Sequence, residues 1–137
     1  MKIICTKSNL AKGVSIVSKA VPSKTTMPIL ECILIDATTD VIKLTANDME
    51  LGIETRIEGE IIDRGIIALN AKIFSEIVRK LPDNEIVIET DMNNQTMITC
   101  ERTDHLQRGL REQYRCSLYD HAGRRNCPGK KIHRSSQ

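Results

Sequence analysis

The sequence predicts an α+β domain made of a duplicated unit, a helix with its antiparallel strands, with two helices on one face of the sheet. Three observations predict it. Two amphipathic segments each run into a proline, Pro22 and Pro82. Short runs rich in Ile, Leu, Val and Thr stand before and after each segment. The two segments superpose without a gap when one is shifted by sixty residues. A chain of 137 residues is long enough for one such domain with its own core.

The elements follow in order. Residues 2–6 read as a strand. Residues 8–21 read as the first helix, because Leu10, Val14, Val17 and Val21 recur at helical spacing on one face. Lys12 and Lys19 lie opposite, Ser8 is the expected N-cap, and Pro22 follows the end. Gly13 weakens this helix by up to about 1 kcal/mol relative to Ala, and Ile16 falls on the polar side. Strands are expected at residues 29–36, 41–46 and 51–57, with turns at Thr38-Thr39-Asp40 and Asn47-Asp48. Residues 65–69 repeat the leading strand. Residues 71–81 form the second helix, with Phe74, Ile77, Val78 and Leu81 inward and Lys72, Ser75 and Arg79 outward. Asn70 caps it and Pro82 ends it. Residues 85–89 and 96–100 are the strands that follow, joined by Asp91-Met92-Asn93-Asn94.

At the sixty-residue shift Ala11 meets Ala71, Lys12 meets Lys72, Ser15 meets Ser75 and Val17 meets Ile77. Lys19 then meets Arg79, Val21 meets Leu81, and Pro22 meets Pro82. The first copy has three trailing strands and the second only two. The repeat therefore calls for one more strand just past residue 103. No obvious one follows, so residues 96–100 are expected to form an open sheet edge.

Charge and composition change together near that point. Residues 1–100 hold 11 Lys/Arg and 14 Asp/Glu, whereas residues 101–137 hold 9 and 4. The later stretch has only Leu106, Leu110, Leu118 and Ile132 as aliphatic anchors. The expected division is a domain at 1–103, its last strand missing, and an unrelated basic tail at 104–137, either an out-of-frame reading or a disordered segment. The apolar runs are shorter than a membrane span, and the N-terminus has too brief an apolar stretch for a secretory signal. A cytoplasmic location is expected, and five irregularly spaced cysteines fit reduced thiols.

Catalytic motifs are not evident. The body has no Gly-rich phosphate loop, and no His precedes His105. Asp36, Asp40, Asp48 and Glu50 read as solvated turn carboxylates, and Cys5 and Cys32 as small core residues. Cys116, His121, Cys127 and His133 have spacings that match no common zinc finger. No enzyme, cofactor or metal is therefore expected. What remains is a cationic face on each helix, Lys12 and Lys19 on one and Lys72 and Arg79 on the other. Mobile cations above short serines suit a phosphate backbone without sequence preference. The body's only aromatic is Phe74, which leaves no platform for unstacked bases, so duplex DNA is the expected ligand.

Three segments carry a resemblance. Pro22-Ser23-Lys24-Thr25-Thr26 followed by Met27-Pro28-Ile29-Leu30-Glu31-Cys32-Ile33-Leu34 resembles the basic-x-T-x-P-I-L turn and strand of bacterial sliding clamps. Leu44-Thr45-Ala46-Asn47-Asp48-Met49-Glu50-Leu51-Gly52-Ile53 resembles their T-x-x-D-x-E turn, and Ala71 through Pro82 their second helix. The resemblance implies the first domain of a three-domain protomer with the DNA clamp fold. Two protomers would close head to tail around double-stranded DNA and tether the replicative polymerase, a processivity role without catalysis. The polymerase and clamp loader would be partners of the full-length protein, with no membrane contact. By the same resemblance Lys24 and Lys72 match basic positions at DNA, Lys12 takes the corresponding face of the first helix, and Arg79 joins them by the repeat. The tail, beginning His105-Leu106-Gln107-Arg108-Gly109-Leu110, departs from the family. The alternative reading is a standalone nucleic-acid-binding module with the basic tail as a flexible arm.

Overall fold

The computed structural model describes residues 1–93, 95–101, 110–117 and 131–135. Strand β1 (Lys2–Thr6) leads directly into helix α1 (Lys7–Val17), which tightens into a 3-10 turn at Ser18–Ala20. A second 3-10 turn, Pro28–Glu31, precedes β2 (Cys32–Asp36), β3 (Ile42–Asn47), β4 (Gly52–Ile57) and β5 (Glu60–Asp63). The second unit runs β6 (Ile66–Asn70), α2 (Ala71–Lys80), β7 (Glu85–Thr90), β8 (Gln95–Glu101) and β9 (Leu110–Ser117), and β10 (Lys131–Ser135) follows.

The strands divide into two sheets rather than the single one expected. One has the order β10-β9-β8-β7-β1-β5 and the other β4-β3-β2-β6, all pairs antiparallel. Each leading strand crosses to the other unit. β1 pairs with β7, Lys2 opposite Glu89 and Thr6 opposite Glu85. β6 pairs with β2 in the same way, Ile66 opposite Asp36 and Asn70 opposite Cys32. This reciprocal exchange makes the two units one cooperative body. A single core contains Leu10, Val14 and Val17 of α1, Phe74, Ile77 and Val78 of α2, and the inward faces of both sheets. α1 also packs directly on α2. Both helices therefore share one side, as the repeat requires.

The repeat is real, but its register differs from the sequence alignment by one helical turn. The N-caps are Thr6, whose hydroxyl accepts from the Asn9 amide, and Asn70, which accepts from the Ile73 amide. Thr6, not Ser8, thus starts α1. Aligning the caps shifts one unit onto the other by 64 residues and places Leu10, Gly13, Val14 and Val17 on Phe74, Ile77, Val78 and Leu81, all buried. Four residues are one turn plus about 40°, so an apolar stripe looks nearly the same at either shift. The extra 3-10 turn Ser18–Ala20 and Val21 after it together supply the four residues that brought the two prolines into the sixty-residue register.

Gly13 has a packing reason to stand in a helix. A Cβ there would lie 2.6 Å from Ile57 Cγ2 and 2.9 Å from Leu44 Cδ1. Its helix-weakening cost is the condition for α1 to approach β3 and β4 this closely.

The expected open edge at residues 96–100 is corrected. β9 pairs with β8 along its length, Gln95 opposite Ser117 and Glu101 opposite Arg111. The ladder of β8 with β9 repeats that of β3 with β4, where Ile42 faces Ile57 and Asn47 faces Gly52. β9 therefore occupies the place of the strand that the repeat called for. Thr96, Ile98 and Cys100 of β8 are fully or almost fully buried. Truncation after Thr103 is accordingly expected to lower the thermal midpoint and promote aggregation, by opening a strand with a buried apolar face. Thermal melting followed by light scattering checks this, and a truncated chain that melts like its parent contradicts it.

Candidate nucleic-acid interface

The four proposed contact residues sit on different elements. Lys12 is on α1, Lys72 and Arg79 are on α2, and Lys24 is in the loop before the second 3-10 turn. All four are exposed, so each head group is free to meet a phosphate. Direct packing of α1 on α2 brings three of them onto neighbouring helices. Lys24 lies outside those helices; beside it, the Thr25 hydroxyl accepts from the Met27 amide at 3.1 Å and shapes the loop. Side chains of Pro28 and Ile29 are outside the described residues.

The cap register changes how these charges relate. Lys12 corresponds to Glu76, Lys72 to Ser8, and Arg79 to Ser15. The two cationic faces are therefore not copies of one ancestral pair. Glu76 stands one turn from both Lys72 and Lys80 on α2, so an anion interrupts the basic face. Lys80, exposed in the last turn, is a cation that the apolar-stripe reading passed over. Arg79 and Lys80 also sit where the helix dipole favours cations, an ordinary structural reason for their presence. Lys7 and Lys72 have no such reason. Each occupies a first turn without an acidic residue, where the dipole disfavours a cation by about 0.3–1 kcal/mol. An anion brought to these helix starts would relieve that mismatch.

The cysteines and turn carboxylates behave as structural groups. Burial pushes the Cys5 thiol up to about 12. Burial, then the Glu31 charge, raises that of Cys32. Neither position favours a thiolate. No group of three or more His, Cys, Asp or Glu residues among the described residues could hold a metal ion. His121 and Cys127 lie outside the described residues, as do the side chains of Cys116 and His133.

Asp48 organises the β3–β4 turn. Its carboxylate accepts from the Leu51 amide at 2.6 Å and the Glu50 amide at 3.0 Å, and it holds Met49 at φ 77°. The Leu51 bond, then the Glu50 bond, keeps its pKa below the ordinary carboxylate value. A depressed folded pKa gives stabilisation that is present above the unfolded value, about 3.9, and lost as pH falls through the folded one. Acidification below about pH 4 is thus expected to loosen this hairpin. The Leu51 and Glu50 amide resonances should move together on acid titration, and Asp48→Asn should abolish that movement. A titration that persists in Asp48→Asn contradicts this assignment.

Two helix-plus-strand units around one core, with exposed cations on adjoining helices, define a duplicated α+β module. The profile of the DNA polymerase III beta subunit N-terminal domain matches residues 1–114, and the chain belongs to that family. The beta sliding clamp of Synechocystis is 38% identical over 118 residues, covering 80% of this chain and 30% of the clamp. A crystal structure from Eubacterium rectale, described as a DNA polymerase III beta subunit, is 71% identical with a TM-score of 0.73, over 75% of this chain and 28% of that one. The Bacillus subtilis DNA polymerase sliding clamp gives 34% identity and a TM-score of 0.74, over 85% and 30%. The chain thus spans about three tenths of the length of these relatives. No helix among the described residues is long and apolar enough to cross a membrane.

Proposed function

We propose that this chain is the DNA-facing N-terminal unit of a sliding clamp, whose full-length form is a non-catalytic processivity subunit of the replicative DNA polymerase. The observation that carries this reading is the pairing of family membership with two adjoining helices that expose cations. Lys12, Lys24, Lys72 and Arg79 contact the phosphates of double-stranded DNA and read no bases. In the full-length protein two protomers close head to tail into a ring in the cytoplasm. Topology then retains the duplex while the helices slide along it. A tethered polymerase or clamp loader gains effective concentration at the primer end.

We further infer that the expected boundary at residue 103 lies later, near the end of β9 and of the family match at residue 114, and that the residues beyond it, the greater part of the expected tail 104–137, derive from another reading frame. The loss of aliphatic periodicity and the change to net positive charge support this. Translating the parent nucleotide sequence in its other frames should restore a clamp-like continuation, and its absence from both frames overturns the inference.

The functional reading is tested by placing residues 1–103 in a full-length clamp and loading it on nicked circular duplex. Retention on the circle and loss on linearisation are expected. Equal retention on both forms contradicts topological binding.

A further inference from the structure

We propose that Glu76 competes with DNA for the cations of α2 and thereby sets how tightly this unit holds duplex. The inference rests on the reading that Lys72 and Arg79 meet phosphates. Glu76 is the one carboxylate on either α1 or α2. It lies about 160° around the helix from the buried Phe74 and Val78, so it projects away from the core. Lys72 and Lys80 stand about 40° to either side of it, one turn before and one turn after. Arg79 stands about 60° away, three residues on. Every cation of α2 is thus within side-chain reach of a single carboxylate.

The fold does not require an acid at this place. Under the cap register the equivalent residue of α1 is Lys12, and α1 carries no carboxylate at all. Nor is Glu76 committed to one neighbour. Among the described residues the ion pairs are Met1 with Asp63 and Arg64 with Asp40. Lys72, Arg79 and Lys80 are exposed, and Glu76 is partly buried between them, so side-chain rotation passes it from one cation to another. A phosphate arriving at Lys72 or Arg79 displaces this internal anion, and a phosphate leaving is replaced by it. One cation's charge is already offset before DNA binds, so fewer counterions are released on binding. The face keeps a net charge of +2, three cations against one carboxylate, which attracts duplex without gripping it at full strength.

The experiment is binding of the full 137-residue chain to a short linear duplex, read by fluorescence anisotropy across a salt series. Glu76→Gln removes the charge and keeps the shape. It is expected to raise affinity about five- to tenfold at low salt and to steepen the slope of log affinity against log salt by roughly 0.9, the equivalent of one added phosphate contact. With Lys72, Arg79 and Lys80 all replaced by Ala, the same change should no longer raise affinity to that extent. An equal gain in that background overturns the proposal, because the carboxylate then acts on DNA directly and not through its neighbours. A Glu76→Gln chain with a lower thermal midpoint but an unchanged slope also overturns it, since Glu76 then only supports the helix. Circular dichroism identifies a misfolded variant; Glu76→Ala then takes its place with the same expectations. The joint replacement of Lys12, Lys24, Lys72 and Arg79 by Ala in the same chain separates this proposal from the reading beneath it. A slope lowered by that replacement but unmoved by Glu76→Gln leaves the DNA contacts standing and removes the role of Glu76. A slope unmoved by both overturns the contacts and this proposal together.

Discussion

Phe74→Ala is expected to lower the unfolding free energy by about 3–5 kcal/mol. Phe74 is the chain's only phenylalanine and is fully buried on α2. It belongs to the core that joins α2 with α1 and both sheets, so its cavity would open at the centre of the reciprocal exchange. Domains of this size have about 5–15 kcal/mol in total, so about a fifth or more of the stability is at stake. The thermal midpoint should fall by about 10–20 °C. Phe74→Leu should lose much less, since it keeps most of the volume. Leu10, its cap-aligned counterpart, should show a comparable but smaller effect on truncation to Ala. Denaturant unfolding of the three variants checks this. A Phe74→Ala chain within about 1 kcal/mol of the parent indicates that the two units do not share one core.

Much of this architecture was legible in the sequence, for a physical reason. Apolar residues recur with the period of the backbone they sit on, so α2 and the buried faces of β2, β3, β7 and β8 announced themselves. The features that escaped have weak periodicity. β5 has four residues and, among the described residues, β1 as its one strand partner, so its pattern barely repeats. In β9, Leu110, Tyr114 and Cys116 do alternate with Arg111, Gln113, Arg115 and Ser117. Glu112 breaks that pattern and hid the strand within a basic stretch. The one-turn slip in the repeat had another cause. Helical faces recur every turn, and only the caps Thr6 and Asn70 fix the phase.

The same distinction applies to the candidate site. Exposure of Lys12, Lys24, Lys72 and Arg79 followed from the helix faces and the loop. The presence of Glu76 at the position equivalent to Lys12 did not, because the equivalence depends on the cap register. The case for these residues rests on adjoining exposed helices and on the first-turn cation Lys72, rather than on a repeated pair.

The second large effect concerns DNA. In a full-length clamp carrying this unit, replacing Lys12, Lys24, Lys72 and Arg79 together by Ala should weaken binding to linear duplex at low salt. Each phosphate contact contributes roughly 0.9 to the slope of log affinity against log salt. Four contacts correspond to a slope change of roughly 3.6 and an affinity change of about 100-fold across a fourfold range of salt. Single replacements should have small effects, since exposed charges act through water and ions. Sequence preference should not change, because phosphate contacts carry none. Folding stability should stay close to the parent's, since all four side chains are exposed.

The most direct test is the salt dependence of binding to a short linear duplex, where topological retention cannot mask lost contacts. The parent and the fourfold variant are compared across a salt series. A slope reduced by roughly three to four, with folding intact, is the expected result. An unchanged slope contradicts it and leaves the cations as a solvated helix face.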